Sequence, residues 1–288
     1  MLKVLSNWFG ACRIKTIPAA ICPIIIGSTL ASSLDIPSLI LILISAVLIQ
    51  IATNLANDYF DYKNDADTPD RLGPVRATTA GLISAESMKK GIIITFSLAF
   101  IVGLFLVARG GWPILIIGLS SILAGLLYTG GPYPLGYNGL GDIFVLLFFG
   151  PIAVAGTVYL NSFEFSREII LIGLAPGLLS TAILAINNLR DVDEDRKTGK
   201  RTLAVILGSS FAKWEYVVCV ITAVAIPIII KASQGALSYR VMIILITLIP
   251  TVPLIKTVFT KKGKILNGVL AKTGLVMVMY AGLFYVAY

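Results

Sequence analysis

The sequence predicts an all-α, polytopic membrane protein whose helices pack into one bundle, and three observations support this fold class. Of its 288 residues, 57% are hydrophobic and only 13% are charged. Apolar runs of roughly 17–22 residues, the length that an α-helix needs to cross a bilayer, recur about nine times. Lys and Arg are concentrated in the short segments between these runs. We expect a single membrane domain over residues 1–288, because the polar stretches are too short to form a separate soluble domain.

The nine predicted spans follow one another with little chain between them. Proline and glycine break or bound several spans, which membrane helices tolerate when neighbouring helices satisfy the backbone. The first apolar run, from Ile17, continues as a full span, so we interpret it as a helix rather than a removed signal. The predicted spans cover about residues 17–33, 37–57, 91–108, 112–130, 140–160, 168–188, 213–231, 238–257 and 267–287.

The basic residues predict the orientation of these spans. With the N-terminus in the cytoplasm, 18 Lys and Arg residues fall in cytoplasmic segments and 4 in outside segments. This bias follows the positive-inside rule, so we expect the N-terminus inside and the C-terminus outside. The net charge of +8 then reflects topology and possible anion binding, and we expect no nucleic-acid partner.

Two acidic clusters stand out in this apolar chain, in residues 54–76 and 187–202. Together they hold nine of the fifteen acidic residues. Each begins with an Asn four residues before an Asp, and the equivalent residues Asn54 and Asn187 lie 133 positions apart. This similarity suggests two pseudo-repeated four-helix units. The predicted topology places both clusters on the cytoplasmic side, in active-site loops of about residues 58–90 and 189–212.

The spacing of the acids predicts one oxygen-rich helix face in each cluster, because residues at i, i+3 and i+4 share a face. Carboxylate and amide oxygens suit Mg²⁺, which is held by one or two carboxylates, waters and a substrate phosphate. The basic residues that follow can neutralise phosphate oxygens. Two similarly spaced clusters argue against simple solvated loops. The first face carries Asn54, Asp58, Asp61 and Asp65, the second Asn187 or Asn188, Asp191 and Asp195, and the basic candidates are Arg71, Arg76, Arg196, Lys200 and Arg201.

The chain contains no histidine and three cysteines. Without histidine, Ser–His–Asp triads, HExxH zinc sites and His general bases are excluded. The scattered cysteines offer neither a disulfide framework nor a metal quartet. Any chemistry must therefore depend on carboxylates, Lys, Arg, Tyr, Asn and a bound ion.

These motifs resemble those of the UbiA family of intramembrane aromatic prenyltransferases over nearly the whole chain. The family pattern NDxxDxxxD appears as Asn57, Asp58, Asp61 and Asp65, and DxxxD appears as Asp191 and Asp195. Within the family, the chain resembles the menaquinone-pathway branch that acts on 1,4-dihydroxy-2-naphthoate. The residues behind this finer resemblance are NDYFDYKNDADTPDRLGPVRATTAGLIS, YTGGPYPLGYNGLGD, FFGPIAVAGTVYL and NNLRDVDEDRKTGKRTLAV.

The resemblance implies an enzyme that transfers a polyprenyl group from polyprenyl diphosphate to the naphthoate, with loss of CO₂ and pyrophosphate. It implies two Mg²⁺ ions, held by Asp58, Asp61, Asp65, Asp191 and Asp195, and a bilayer-side tunnel for the isoprenoid. It implies no protein partner. The implied substrate-binding residues are Asn54, Asn57, Asp67, Asp70, Arg71, Arg76, Tyr128, Asn187, Asn188, Arg196, Lys200 and Arg201.

Several alternatives remain open from the sequence. Tyr128 could contact substrate or belong to an interfacial aromatic belt. Asp67 and Asp70 could order the first loop instead of binding metal. The aromatic acceptor could be 4-hydroxybenzoate, homogentisate or a similar compound. Outside this family, an ion-coupled transporter or a polyprenyl-diphosphate phosphatase would also use intramembrane acids.

Overall fold

The computed structural model describes residues 2–66 and 72–288, and the regular secondary structure of this part of the chain is helical. Twelve α-helices are joined by short loops and 3₁₀ turns within these ranges. The helices are α1 (Leu2–Cys12), α2 (Ile17–Leu30), α3 (Ile36–Lys63), α4 (Ala85–Leu127), α5 (Gly141–Phe148), α6 (Pro151–Ser162), α7 (Arg167–Lys197), α8 (Leu203–Leu207), α9 (Ser209–Ser233), α10 (Tyr239–Met242), α11 (Leu248–Thr260) and α12 (Leu266–Ala287).

Helix α4 explains how the observed helices correspond to nine spans. Eight helical segments of the described chain are long and apolar enough to cross a membrane, and α4 is one of them, with 43 residues. A straight helix of that length would measure about 64 Å, twice the hydrocarbon core. It bends at Gly111 (φ 65°, ψ −150°), and a Cβ on Gly125 would lie 3.4 Å from the ring of Phe96. The two limbs thus form a hairpin, which confirms the all-helical fold with about nine spans.

Two details of the spans were not predicted. Helix α1 precedes the first span and packs on α3, and the Asn7 side chain donates to the Leu82 carbonyl (3.2 Å). The fifth span divides into α5 and α6 at Gly150. A Cβ at this position would lie 2.8 Å from the carbonyl oxygen of Gly173 on α7, so the break lets two backbones approach closely.

The packing centres on α7 and brings the helix ends together on one face. Helix α7 contacts α2, α5, α6, α9 and α12, and its residues Ile172, Leu179 and Ile186 are fully buried. Helix α3 pairs with α4 much as α7 pairs with α9, although the pseudo-repeat itself stays a prediction. The Lys200 ammonium, just beyond α7, lies 3.3 Å from the carboxylate of Asp61, near the end of α3. The two acidic clusters therefore share one end of the bundle.

Candidate active site

A cavity of about 790 Å³ extends from the ends of α3 and α7 into the bundle. Its polar end is lined by acidic, basic and amide side chains, and the remainder is lined mainly by apolar residues. Along α3 the lining continues from Asp61 to Ile42, roughly 28 Å at 1.5 Å per residue. The cavity therefore joins a charged mouth to an apolar limb about as long as the hydrocarbon core is thick.

Among the acids of the first cluster that the structure describes, Asp61 has the most side-chain partners. Its side chain is 1% exposed, and it forms an ion pair with Arg76. The Tyr137 hydroxyl donates to the same carboxylate at 2.5 Å, and the Lys200 ammonium lies 3.3 Å from it. These partners come from three different segments. Asp61 thus fixes the loop that carries Arg76 and the segment after α7 at one point of the cavity.

Asp58 faces away from the cavity, towards the loop that follows. Its two carboxylate oxygens accept hydrogen bonds from the backbone N–H groups of Ala77 and Thr78, both at 2.8 Å. Asp58 is 2% exposed and does not line the cavity. Its observed contacts hold the backbone beside Arg76, and its predicted metal-binding role stays a prediction.

Asp65 departs from the predicted helix face. Helix α3 ends at Lys63, and Asp65 adopts a left-handed conformation (φ 48°) in the turn beyond it. Its side chain is exposed and does not line the cavity. The prediction that one helical stripe continues through Asp65 was therefore wrong, because the helix ends one half-turn too early.

The two Asn residues of the first cluster have different surroundings. Asn54 donates to the Cys12 carbonyl (3.1 Å) and to the Thr16 hydroxyl (2.9 Å), so it anchors the turn between α1 and α2. The Asn57 amide oxygen accepts a hydrogen bond from Thr129 (2.8 Å), just after α4. Both residues line the cavity.

The second cluster lies within α7, as its spacing predicts. Arg190 forms a bidentate ion pair with Asp191, in which Nε donates to Oδ1 at 2.7 Å and Nη2 donates to Oδ2 at 2.5 Å. Arg190 also donates to the Asn187 amide oxygen at 2.8 Å. Asp195, one turn later, is 7% exposed and lines the cavity. Asn187, Asn188 and Asp191 line it too.

The predicted basic residues divide into two groups. Arg76 and Lys200 line the cavity and pair with Asp61. Arg196 and Arg201 are exposed and lie outside it, because they point from the other side of the chain that follows Asp195. The remaining predicted residues, Asp67, Asp70 and Arg71, lie outside the described residues.

Two tyrosines complete the polar end of the cavity. Tyr128 follows α4 and lines the cavity beside the acids. Burial raises the pKa of its hydroxyl, and the carboxylates of Asp142, Asp61 and Asp195 raise it further, so Tyr128 stays neutral and can donate a hydrogen bond. Tyr137 bonds to Asp61, and its ring lies 4.8 Å from the Lys200 ammonium.

The donor set fits Mg²⁺ better than a metal held by protein alone. Within residues 2–66 and 72–288, no three Asp, Glu or Cys side chains form a ready-made metal group. Asp61 and Asp191 each have basic partners instead. Mg²⁺ is commonly held by one or two carboxylates together with substrate phosphates and waters, which is the set that this cavity offers. The residues present therefore fit a metal that arrives with a phosphorylated substrate.

Sequence reasoning missed two residues that connect the site. Arg190 precedes Asp191 directly within α7, and neighbouring residues of a helix do not normally face each other, so no signal in the sequence indicated their bidentate pairing. Asn267, on α12, lines the cavity and bonds to Arg190 at 2.7 Å. It lies 77 residues further along the chain, and no motif marks it.

The fold and this cavity together define a class, the polytopic helical membrane protein whose bundle encloses a cavity with a charged end and an apolar limb. The chain belongs to the UbiA prenyltransferase family, whose model matches residues 20–264. The family inferred from the motifs is confirmed, and with it the assignment as a prenyltransferase.

Curated relatives confirm the resemblance to the naphthoate branch. A 1,4-dihydroxy-2-naphthoate octaprenyltransferase of Escherichia coli is 45% identical over 215 residues, covering 72% of this chain and 70% of that protein. A 2-carboxy-1,4-naphthoquinone phytyltransferase of Synechocystis is 29% identical over 212 residues, covering 70% and 66%. A UbiA homolog from Archaeoglobus fulgidus, solved with GPP and Mg²⁺, has the same fold. It shares a TM-score of 0.73 at 16% identity, with 98% of this chain and 99% of that chain covered.

Proposed function

We propose that this chain transfers a polyprenyl group from polyprenyl diphosphate to 1,4-dihydroxy-2-naphthoate, releasing pyrophosphate and CO₂ and giving demethylmenaquinol. The observation that carries the proposal is the cavity, which joins a charged mouth to an apolar limb of about bilayer depth. This shape suits a donor with an anionic head and a long apolar tail. The name of the Escherichia coli relative supports the naphthoate as acceptor.

The polar end is suited to a diphosphate. Arg76 and Lys200 lie at the cavity wall and can donate charge-assisted hydrogen bonds to phosphate oxygens. The neutral Tyr128 hydroxyl adds a donor without adding charge. These groups stabilise the negative charge that grows on the leaving pyrophosphate, and they are already in place before it forms.

Two Mg²⁺ ions belong to the same proposal. Asn57 and Asp61 would supply ligands from α3, and Asp191 and Asp195 from α7, with phosphate oxygens and water completing each coordination sphere. When bound, the metal neutralises the diphosphate and favours its departure. The Mg²⁺ and GPP named for the Archaeoglobus homolog support this assignment.

The apolar limb has a chemical role beyond holding the tail. Loss of pyrophosphate leaves an allylic cation, which water would quench. Residues such as Phe144, Phe148 and Ile152 line the cavity and exclude water from it. The electron-rich naphthoate ring is then the available nucleophile, and its carboxylate leaves as CO₂.

We also infer that the active site faces the cytoplasm, with the N-terminus inside and the C-terminus outside. The distribution of Lys and Arg supports this orientation, and an odd number of spans is consistent with termini on opposite sides. Labelling of a cysteine introduced at Ser238 or Arg201, in sealed inverted vesicles, tests it. A label that reaches Ser238→Cys but not Arg201→Cys from the cytoplasmic side would reverse the proposed orientation.

The proposed reaction can be tested directly with purified protein in nanodiscs. We would supply Mg²⁺, a polyprenyl diphosphate and either 1,4-dihydroxy-2-naphthoate or 4-hydroxybenzoate, and identify products by mass spectrometry. The expected result is a prenylated naphthoquinol that lacks the carboxylate, formed by wild type and Arg196→Ala but lost with chelator or in Asp61→Ala. Product from 4-hydroxybenzoate alone would reject the acceptor and keep the prenyl transfer. If neither acceptor is prenylated, both the proposed acceptor and the proposed prenyl transfer are rejected.

One observation favours a variant of this function. The Synechocystis relative is named for a phytyl donor, so donors differ among relatives of this chain. Competition between octaprenyl and phytyl diphosphate in the same assay separates the two. A preference for phytyl diphosphate would change the proposed donor, while the proposed acceptor and reaction would stay the same.

A further inference from the structure

Asn267, the second residue of α12, bonds in two directions at the polar end of the cavity. Its amide oxygen accepts a hydrogen bond from Nη1 of Arg190 at 2.7 Å. Its amide nitrogen donates to the backbone carbonyl of Leu72 at 2.9 Å. A rotated amide would place NH₂ against the guanidinium and oxygen against the carbonyl, so both bonds would fail together. The two contacts together therefore fix one orientation of the Asn267 amide.

On one side of Asn267 lies the second acidic cluster. Arg190 is 4% exposed, and its remaining bonds go to Asp191 and Asn187. Because a guanidinium is rigid and planar, the bond that holds Nη1 also helps to fix Nε and Nη2, the two nitrogens of Arg190 that bond to Asp191. Asn267 thus constrains the orientation of the Asp191 carboxylate through one intermediate residue.

On the other side lies the chain of residues 72–83, which we call the Arg76 loop. Asp58 holds its centre through Ala77 and Thr78, and Arg76 pairs with Asp61. The Leu72 carbonyl, held by Asn267, lies at its beginning. The loop is therefore fastened to α3 by the first acidic cluster and to α12 by Asn267.

We propose that Asn267 is a positioning residue that couples the Arg76 loop to Asp191, so that the loop and the second acidic cluster order together. The two clusters come from opposite halves of the chain, and the loop supplies Arg76 to the mouth between them. Ordering one side then favours ordering of the other. The kinetic part of this inference depends on the proposed function, whereas the coupling itself does not.

Three variants separate the two bonds. Asn267→Ala removes both, and Asn267→Asp keeps an acceptor for Arg190 but has no donor for Leu72. Asn7→Ala is the matched control, because Asn7 also donates an amide N–H to a carbonyl of the same loop, at Leu82, with no bond to Arg190. Each variant is first checked for wild-type helix content by circular dichroism and for a single thermal transition in detergent.

The first readout is trypsin cleavage after Arg76 in substrate-free protein, followed by mass spectrometry of that one bond. Arg76 is 7% exposed, so cleavage reports opening of the loop. We expect Asn267→Ala and Asn267→Asp to raise the cleavage rate about 3- to 10-fold, the range of one or two lost hydrogen bonds. Unchanged cleavage in both would overturn the proposal.

The second readout tests coupling and needs no catalysis. Asp191→Asn weakens the bidentate pair with Arg190, and in an otherwise wild-type chain we expect it to raise cleavage after Arg76, although Asp191 does not touch the loop. In an Asn267→Ala background the same substitution should have no further effect. Additive effects in this double-mutant cycle would show that Asn267 is only a structural anchor.

The third readout is the Mg²⁺ concentration for half-maximal activity. It should rise in Asn267→Ala, stay near wild type in Asn267→Asp, and not change in Asn7→Ala. A rise of equal size in Asn7→Ala would overturn the proposal, because any loop anchor would then suffice. If no aromatic acceptor is prenylated, the proposed function fails, while the proteolysis results still decide the coupling.

Discussion

The two acidic clusters share a spacing in sequence but are built in different ways. The second lies within one helix, and its Asp191 is neutralised by the adjacent Arg190. The first begins in α3 but depends on groups from elsewhere, since Asp61 meets Arg76, Tyr137 and Lys200. Repeated spacing therefore does not imply repeated roles. The second cluster is organised mainly within α7, with one contact from Asn267 on α12, whereas Asp61 of the first cluster depends on three other segments of the chain.

The largest effect should come from removing Asp61 of the first cluster or Asp195 of the second, both of which line the cavity. We expect Asp61→Ala and Asp195→Ala each to lower kcat/KM by about 10²–10³-fold, the range seen when one preorganised charge-stabilising group is lost. The measurement is a steady-state prenyl-transfer assay with Mg²⁺ varied. Wild-type activity in either variant would show that only one cluster serves the reaction.

A smaller and different effect is expected from Asp58, which is bonded to the backbone of Ala77 and Thr78, and from Asp191, which lines the cavity but is paired with Arg190. Asp58→Asn keeps one acceptor where two are needed, so it should destabilise the protein by about 1–3 kcal/mol and speed trypsin cleavage after Arg76. Asp191→Asn should raise the Mg²⁺ requirement in addition to its effect on cleavage, because Asp191 lines the cavity. Thermal unfolding and Mg²⁺ titration of both variants check this contrast. A raised Mg²⁺ requirement in Asp58→Asn would favour the metal-ligand role that the motif predicts.

Asp65 should matter less than its place in the motif implies. It is exposed, and its φ of 48° is tolerated by Asn and Gly but unfavourable for Ala. We expect Asp65→Asn to change kcat/KM by less than about threefold, and Asp65→Ala to cost about 1 kcal/mol of stability. A loss in Asp65→Asn as large as in Asp61→Ala would place this carboxylate at the reaction centre.

The smallest effect is expected from the exposed basic residues beyond the second cluster. Arg196→Ala and Arg201→Ala should change kcat/KM by no more than about twofold, as surface substitutions usually do. Lys200→Ala is the matched comparison, because Lys200 lines the cavity between them and pairs with Asp61. Similar losses in all three variants would mean that the whole basic segment contacts the donor.

The sequence predicted what depends on local pattern and missed what depends on distant contacts. Apolar run length predicted the spans, including the two limbs of α4, and i,i+4 spacing predicted Asp191 and Asp195 on one helix. The same spacing was wrong for Asp65, because the end of α3 is set by the turn after Lys63. Asn267 could not be found in this way, since its two partners lie 77 and 195 residues away.

The contact between α2 and α12 has a consequence for how the chain is made. Helix α2 packs against α12, so one of its main partners is made only after the intervening helices. At 5–20 residues per second, the ribosome needs roughly 10–50 s to reach α12 after completing α2. During that time one flank of α2 has only lipid or assisting proteins beside it. The chain is thus vulnerable until α12 has been made, and we expect truncations before α12 to be degraded even though both acidic clusters are present.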